Sequence, residues 1–219
     1  MDDIQEINEY TRIAYNRVAE KYHNLFQNEM NEKPYDREIV KRLLELIPRN
    51  SRILDAGCGP SGHISAFVHQ FGYQVVGIDI SDRCVEIASQ CNPEISFYRM
   101  DMMELDFPDL YFDGIISYYS IIDTPKSAVS KIFREFSRVL KPNGVLIIVV
   151  KQGETEGFID TLLDMPVKIY FTLFTLHEIK SYLLDHGFKV EFLESREPMD
   201  FEIKINRIYA IGRKIKNTT

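Results

Sequence analysis

The sequence is short of several things, and each shortage closes off a class of function. Its 219 residues hold three cysteines, Cys58, Cys84 and Cys91, at spacings that suit neither a zinc site nor a disulfide framework. Reduced thiols in a cytoplasmic protein are the expectation. Basic residues are not in excess, since 26 Lys and Arg face 33 Asp and Glu for a formal net charge of −7. No basic field is present to draw a polyanion, so nucleic acid is disfavoured as a partner. No apolar run approaches the roughly 20 residues of a membrane span. The polar, acidic opening "MDDIQEINEY" is not a secretory signal. Repeats and low-complexity tracts are missing as well. With 45% hydrophobic and 27% charged residues, the composition suits one globular domain, 1–219, with a sizeable core.

What is present is a change of period along the chain. "TRIAYNRVAEKYHNLF" carries Ile13, Ala14, Val18, Tyr22 and Leu25 at helical spacing, and Tyr15, Ala19 and Tyr22 share one face. "NEKPYD" interrupts it, and Asp36 is placed to cap a second helix through Ile39, Val40, Leu43, Leu44 and Ile47. Residues 1–50 therefore read as a helical cap or extension. From Arg52 short apolar runs alternate with helical patterns: "RILDAG", "YQVVGID", "ISFYRM", "FDGIISYYS" and, after the turn "KPNG", "VLIIVV". Such runs separated by helices predict a doubly wound, mostly parallel sheet buried on both faces. Thr175 and Glu178 are in capping-box register for a helix that stops at Gly187. "KVEFLES" and "INRIYAIGRK" follow with no helix between them, which predicts an antiparallel hairpin closing a seven-stranded sheet. The apolar stretch "EGFIDTLLDMPVKIYFTLF" after the fifth strand reads as a lid inserted over 153–174.

The chemistry concentrates in "ILDAGCGPSG", Ile53 to Gly62. Gly57, Gly59 and Gly62 fit G-x-G-x-x-G, a turn whose backbone closely approaches a nucleotide at the carboxyl end of the first strand. Asp79 ends the second strand 20 positions after Gly59, where a carboxylate accepts bonds from ribose hydroxyls. To that point a nicotinamide dinucleotide and S-adenosylmethionine call for the same residues. Three features separate them: Asp55 just inside the glycine turn, "RMDMMEL" with Asp101 and Met102 closing the third strand, and "FREFSRVLKPNGVLIIVV" ahead of a terminal hairpin.

From about Tyr15 to Lys214 the chain resembles the class I S-adenosylmethionine-dependent methyltransferases, in their small-molecule branch. "ILDAGCGPSG", "VVGIDIS", "RMDMMELDFPDLYFDGIISYYSIID" and "RVLKPNGVLII" are similar to that family's motifs, in order. The resemblance implies a Rossmann-like fold and S-adenosyl-L-methionine as cofactor. Carried over residue by residue, it implies that Asp55 and Gly57 hold the amino acid end of the donor, with the Gly57 carbonyl meeting the ammonium. Gly59 and Pro60 continue the turn, Asp79 holds the ribose, Ile80 packs on the adenine, and Asp101 with Met102 frames it. Ser117, Tyr118 and Tyr119 close the fourth strand toward the sulfonium, and Tyr15 or Tyr22 of the first helix touches the donor's carboxylate end. Two departures stand out. Ser61 pushes the third glycine to Gly62, which widens the turn, and Asp123 stands where relatives often have a histidine.

Each residue also has a plainer reading: Asp79 as a helix cap, Asp101 as a solvated turn acid, Met102 and the tyrosines as packing. Cys58 is given no chemistry, and no metal site is seen. The expected function is methyl transfer to a small, at least partly apolar molecule, by a monomer or homodimer. Tyr118, Tyr119 and Asp123 are the candidates for orienting the acceptor or taking its proton. RNA or protein methylation and a non-catalytic donor-binding regulator are the alternatives. Against base methylation, no N-P-P-Y-like tetrapeptide follows the fourth strand, and no cysteine sits at a nucleophile position.

Overall fold

A computed structural model describes residues 4–216, so the outermost three residues at each end of the expected domain lie outside the described residues. Seven helices, α1 (Ile4–Phe26), α2 (Glu29–Glu32), α3 (Pro34–Leu46), α4 (His63–His69), α5 (Asp82–Cys91), α6 (Lys126–Val139) and α7 (Leu176–Asp185), surround the sheet. The strands are β1 (Arg52–Ala56), β2 (Gln74–Asp79), β3 (Ser96–Arg99), β4 (Phe112–Tyr118), β5 (Leu140–Lys151), β6 (Glu156–Leu162), β7 (Met165–Thr172), β8 (Phe188–Arg196) and β9 (Arg207–Lys214). Seven of them form one sheet in the order β3-β2-β1-β4-β5-β9-β8, with β1 to β5 parallel and β9 antiparallel to both its neighbours. This is the doubly wound arrangement with the closing hairpin that the pattern predicts.

The alternation within each strand feeds two cores. Leu54, Ile115, Leu146 and Ile148 face α6 and α7, against Phe133, Phe136 and Leu183. Their neighbours Ile53, Ile116, Ile147 and Val149 face the other way, onto Ile39, Val40 and Leu43 of α3 and Val68 of α4. Strands buried on both faces need apolar residues at both parities, which is why they read as unbroken runs. α3 is thus a layer of the sheet, whereas α1 packs elsewhere. Ala14 and Val18 of α1 meet Val167 and Ile169 of β7, and Ala19 meets Cys84 and Ile87 of α5.

The 153–174 insertion is a β-hairpin. β6 and β7 pair antiparallel through a two-residue turn whose Leu163 and Asp164 both hold left-handed backbone, at φ 51° and 56°. It lies beside α1 and together they roof the carboxyl end of the parallel strands. "KPNG" proves to be part of β5, where Asn143 takes φ 64° and the register against β4 shifts between Phe112 and Gly114.

Asp36 departs from expectation. α3 begins at Pro34 with Lys33 as its cap, and Asp36 is wholly buried in the first turn. Its carboxylate accepts bonds from the Tyr118 hydroxyl at 2.7 Å and the Tyr209 hydroxyl at 2.9 Å, and the Arg196 guanidinium lies 3.6 Å away. One side chain thereby ties α3 to the ends of β4 and β8 and to β9. Replacing Asp36 with Ala leaves two buried hydroxyls without their acceptor and takes the more distant of two carboxylates from the Arg196 guanidinium, which keeps Glu202. Losing one partner of a buried charged cluster typically costs about 3–5 kcal/mol. Urea unfolding of Asp36→Ala should show a loss of that order; a loss below about 1 kcal/mol, the scale of an average substitution, would mean the node is incidental.

Candidate active site

The glycine turn leaves β1 at Ala56 and is pinned from below. The Gly57 and Cys58 amides both donate to the Ile78 carbonyl, at 2.8 and 2.9 Å, which fixes the turn to the end of β2. Gly57 has φ 82°, and a Cβ there would fall 2.2 Å from Cβ of Ser120, so only glycine lets the loop after β4 approach. Gly59 has φ 61° and no atom within 4 Å of where its Cβ would sit; it faces open space in the cleft. The extra residue, Ser61, is used: its hydroxyl lies 3.1 Å from Nδ1 of His23 on α1, and its carbonyl accepts from Nδ2 of Asn92 at 3.0 Å.

Four carboxylates surround this turn. Asp79 accepts from the Gly59 amide on Oδ2 at 3.0 Å and from the Ser81 amide on Oδ1 at 2.9 Å. Burial pushes its pKa up to about 6 despite those bonds. Asp55 is also pushed up to about 6 by burial, but it is only 1% exposed and sits beneath the turn, bonded by the Ser65 hydroxyl at 2.6 Å. Asp101 accepts from the Met103 amide at 2.8 Å and from the Asn8 side chain of α1 at 2.6 Å, and burial raises its pKa. Asp123, in a 3-10 turn at Ile121–Asp123, accepts from the Tyr15 hydroxyl at 2.7 Å. Burial pushes Asp123 furthest of the four, to about 7.

Three of these acids, Asp79, Asp101 and Asp123, help to line two adjoining cavities. The narrower, about 80 Å³, is walled by Gly57, Gly59, Asp79, Ile80, Asp101, Met102, Tyr118, Ser120 and Asp123, with Asn8, Thr11, Tyr15 and Tyr22 of α1 above. The wider, about 600 Å³, lies between α1, the β6–β7 hairpin and the segment before β9. Tyr15, Tyr22, Tyr119 and Asp123 belong to both walls. Asp55, Pro60 and Ser117 line neither; the Ser117 hydroxyl pairs with that of Ser120 at 2.7 Å. Tyr118 borders the narrow cavity, yet its hydroxyl is committed to Asp36. Tyr119 takes φ 51°, a backbone position that costs a bulky residue energy, and its buried hydroxyl lacks a hydrogen-bond partner. Among the described residues no group of three or more His, Cys, Asp or Glu could hold a metal ion.

Asn8, Thr11 and Lys151 are additions that sequence reading missed. Nothing in "IQEINEY" marks Asn8, because its partner Asp101 is 93 positions away. Lys151 had a signal: it is the charge that ends the apolar run of β5, on the side where such sheets bind ligands.

A family profile described as "Methyltransferase domain" matches residues 53–144. Phosphoethanolamine N-methyltransferase of Plasmodium falciparum is 30% identical over 158 residues, 69% of this chain and 59% of that protein. The 2-methyl-6-phytyl-1,4-hydroquinone methyltransferase of Synechocystis is 34% identical over 108 residues, 48% of this chain and 33% of that protein. The chain thus spans less than two thirds of the curated relatives it matches. Among solved structures, 1,6-didemethyltoxoflavin-N1-methyltransferase of Burkholderia thailandensis, with 1,6-didemethyltoxoflavin and S-adenosylhomocysteine bound, superimposes with a TM-score of 0.75 at 17% identity. That match covers 99% of this chain and 92% of the other. With the glycine turn, the strand-end acids and the sheet order in place, residues 53–144 form a methyltransferase domain of the class I S-adenosylmethionine-dependent family, whose cofactor is S-adenosylmethionine.

Proposed function

We propose that this protein transfers a methyl group from S-adenosylmethionine to a small organic acceptor, with the donor in the narrow cleft and the acceptor in the wider cavity. The observation that carries this reading is the shared wall: Tyr15, Tyr22, Tyr119 and Asp123 stand where the two cavities meet. The named relatives act on phosphoethanolamine and a phytyl hydroquinone, and the net charge of −7 suits neither RNA nor DNA as the acceptor.

The residues present fit the donor. Each Asp79 oxygen accepts one amide and keeps a lone pair for a ribose hydroxyl. Ile80 and Met102 offer apolar faces to an adenine, and Asp101 offers an acceptor to its amino group. The Gly57 carbonyl is assigned to the donor ammonium. Asp55 supports the turn through Ser65 and does not touch the donor. Once bound, the donor supplies a methyl carbon already activated by its sulfonium. The protein's task is then alignment, which can supply about 7–11 kcal/mol. Tyr119 and Asp123 are assigned to the acceptor, with Asp123 receiving its proton; Tyr118 packs and does not react.

α1 is assigned the role of a lid. A cavity of about 80 Å³ is far below the roughly 300–1,000 Å³ of ordinary small-molecule sites, so the helix must shift to admit the donor. Over the cleft it is held by separable polar contacts, Asn8 on Asp101, Tyr15 on Asp123, and Asn16, which accepts from the Ser81 hydroxyl at 2.7 Å, beside its apolar packing on β7 and α5. In this reading the adenine displaces Asn8 from Asp101, and the hairpin closes the acceptor side.

Incubation with methyl-labelled donor and a metabolite extract should place label in the small-molecule fraction; label in RNA or protein alone, or none, would overturn the reading. Asp79→Ala should lower affinity for S-adenosylhomocysteine at least tenfold by calorimetry, since each charge-assisted bond is worth roughly 1.5–3 kcal/mol. The pH dependence follows from Asp79. Ribose hydroxyls bind its ionised form, so affinity should be full above pH 7 and decline as pH falls through about 6. Binding near pH 6 should therefore release a proton, detectable by calorimetry in buffers of different ionisation enthalpy. For Asp123, turnover should rise with pH through about 7 in the native protein. Asp123→Asn should abolish that inflection and cut turnover by about 10²–10⁴-fold with donor affinity intact. An unchanged pH profile would remove Asp123 from the chemistry.

A further inference from the structure

The wider cavity holds one cation that the fold does not pair. Lys33 lies against Glu29 and, at 3.2 Å, against Glu202. Arg207 donates to the Ile203 and Ile205 carbonyls and lies 3.4 Å from Glu202. Glu202 is further bound by Arg196 at 2.9 Å, and Glu29 has His63 at 3.1 Å. Lys151, by contrast, makes no ion pair or hydrogen bond through its ammonium to any described residue, although it is half-buried at the end of β5. Its charged neighbours are Asp123 and Glu29 on one side of the balance and Arg207 and Lys33 on the other; burial outweighs them and lowers its pKa. A half-buried ammonium without a partner is costly unless something brought to the site compensates it.

Apart from Lys151, Asp123 and the mutually paired Glu29, Lys33, Glu202 and Arg207, the lining is mostly apolar, and apolar side chains gather at its rim. Leu25, Ile159, Phe201 and Ile203 are 53%, 38%, 63% and 62% exposed, four of the eleven exposed large hydrophobics among the described residues, and all four border this one opening. Scattered exposed apolar side chains need no explanation, but a cluster at the mouth of a cavity marks a binding surface. They come from α1, the hairpin and the segment between β8 and β9, so three separate parts of the chain converge on it. Inside, Ile122, Ile169 and Phe171 continue the apolar wall toward Asp123 and Lys151. At about 600 Å³ the space suits an organic molecule of ordinary ligand size.

Building on the assignment of this cavity to the acceptor, we propose that the acceptor is an amphiphile: one acidic oxygen, separate from the methylated atom that gives its proton to Asp123 and ionised as a phenolate, enolate or carboxylate, meets Lys151 beside Asp123, and a hydrocarbon portion runs out between Leu25, Ile159, Phe201 and Ile203. The charge-assisted bond fixes the polar end near the wall shared with the donor cleft. The apolar rim supplies affinity without directing the reacting atom. An acceptor with a cationic head is rejected, because it would set a second positive charge against Lys151.

The test is a head-group series on one chain length. Decanoate, 1-decanol and decyltrimethylammonium are titrated calorimetrically into the full chain, with and without saturating S-adenosylhomocysteine. Decanoate should bind at least tenfold more tightly than the other two. Lys151→Met should bring decanoate down to the level of 1-decanol, and Lys151→Arg should retain the preference. Equal or reversed ranking, survival of the preference in Lys151→Met, or no binding by any probe would overturn the proposal. Should Lys151→Met not fold, the ranking on the native protein decides alone. Failure to bind S-adenosylhomocysteine would instead count against the donor assignment, and the ranking without it would still be read.

Discussion

The hydrogen bond from the Tyr15 hydroxyl to the Asp123 carboxylate joins the two halves of this architecture. One partner is on α1, outside the sheet, and the other is in the turn after β4, at the end of the sheet's central strands. It holds α1 against the turn, it forms part of the wall between the two cavities, and it places an acid with a pKa near 7 at that wall. Burial alone would leave Asp123 poorly solvated; the phenol offsets part of that cost while remaining displaceable. In the proposed function the same bond serves closure and chemistry, and α1 releases it on opening.

Behind that wall the structure is rigid for a different reason. Asp36 gathers Tyr118 and Tyr209 under α3, with Arg196 close by, so the end of β4 is clamped from the side away from the cleft. Tyr119, the next residue, is forced into left-handed backbone, and its side chain borders both cavities. The chain's acidic balance is thus partly internal. Asp36, Asp55, Asp79, Asp101 and Asp123 all carry pKa values raised by burial, four of them around the glycine turn. A cluster of acids there suits the ligand proposed for it, which brings hydroxyl, amino and sulfonium groups.

How much of this was legible depended on the range of the interaction. Strands buried on both faces announce themselves as apolar runs, so the sheet, its order of elements and its closing hairpin followed from local pattern. Gly57, Gly59 and Asp79 were legible because a glycine turn and a strand-end acid form one short unit. Thr175 and Glu178 do form their capping box, again a local matter. What escaped was set by distant partners. Asp36 looked like a helix cap because its true partners, Tyr118 and Tyr209, are 82 and 173 positions away. Tyr118 ends a central strand and does border the narrow cavity, but only the fold shows that its hydroxyl turns toward Asp36. The 153–174 segment was read as an apolar lid, but its hairpin form depends on a left-handed Leu163–Asp164 turn, an unusual use of Leu. Ser61 was read as widening the turn, whereas the fold uses it to meet His23 and Asn92.

The central claim is that donor and acceptor occupy opposite sides of the wall made by Tyr15, Tyr22, Tyr119 and Asp123. A crystal structure with S-adenosylhomocysteine tests it most directly. The account predicts the ribose on Asp79, the adenine between Ile80 and Met102 with Asn8 displaced from Asp101, and the sulfur directed at Asp123 and Tyr119, with the wider cavity left free. A nucleoside lying in the wider cavity, or a ribose bound without Asp79, would contradict it.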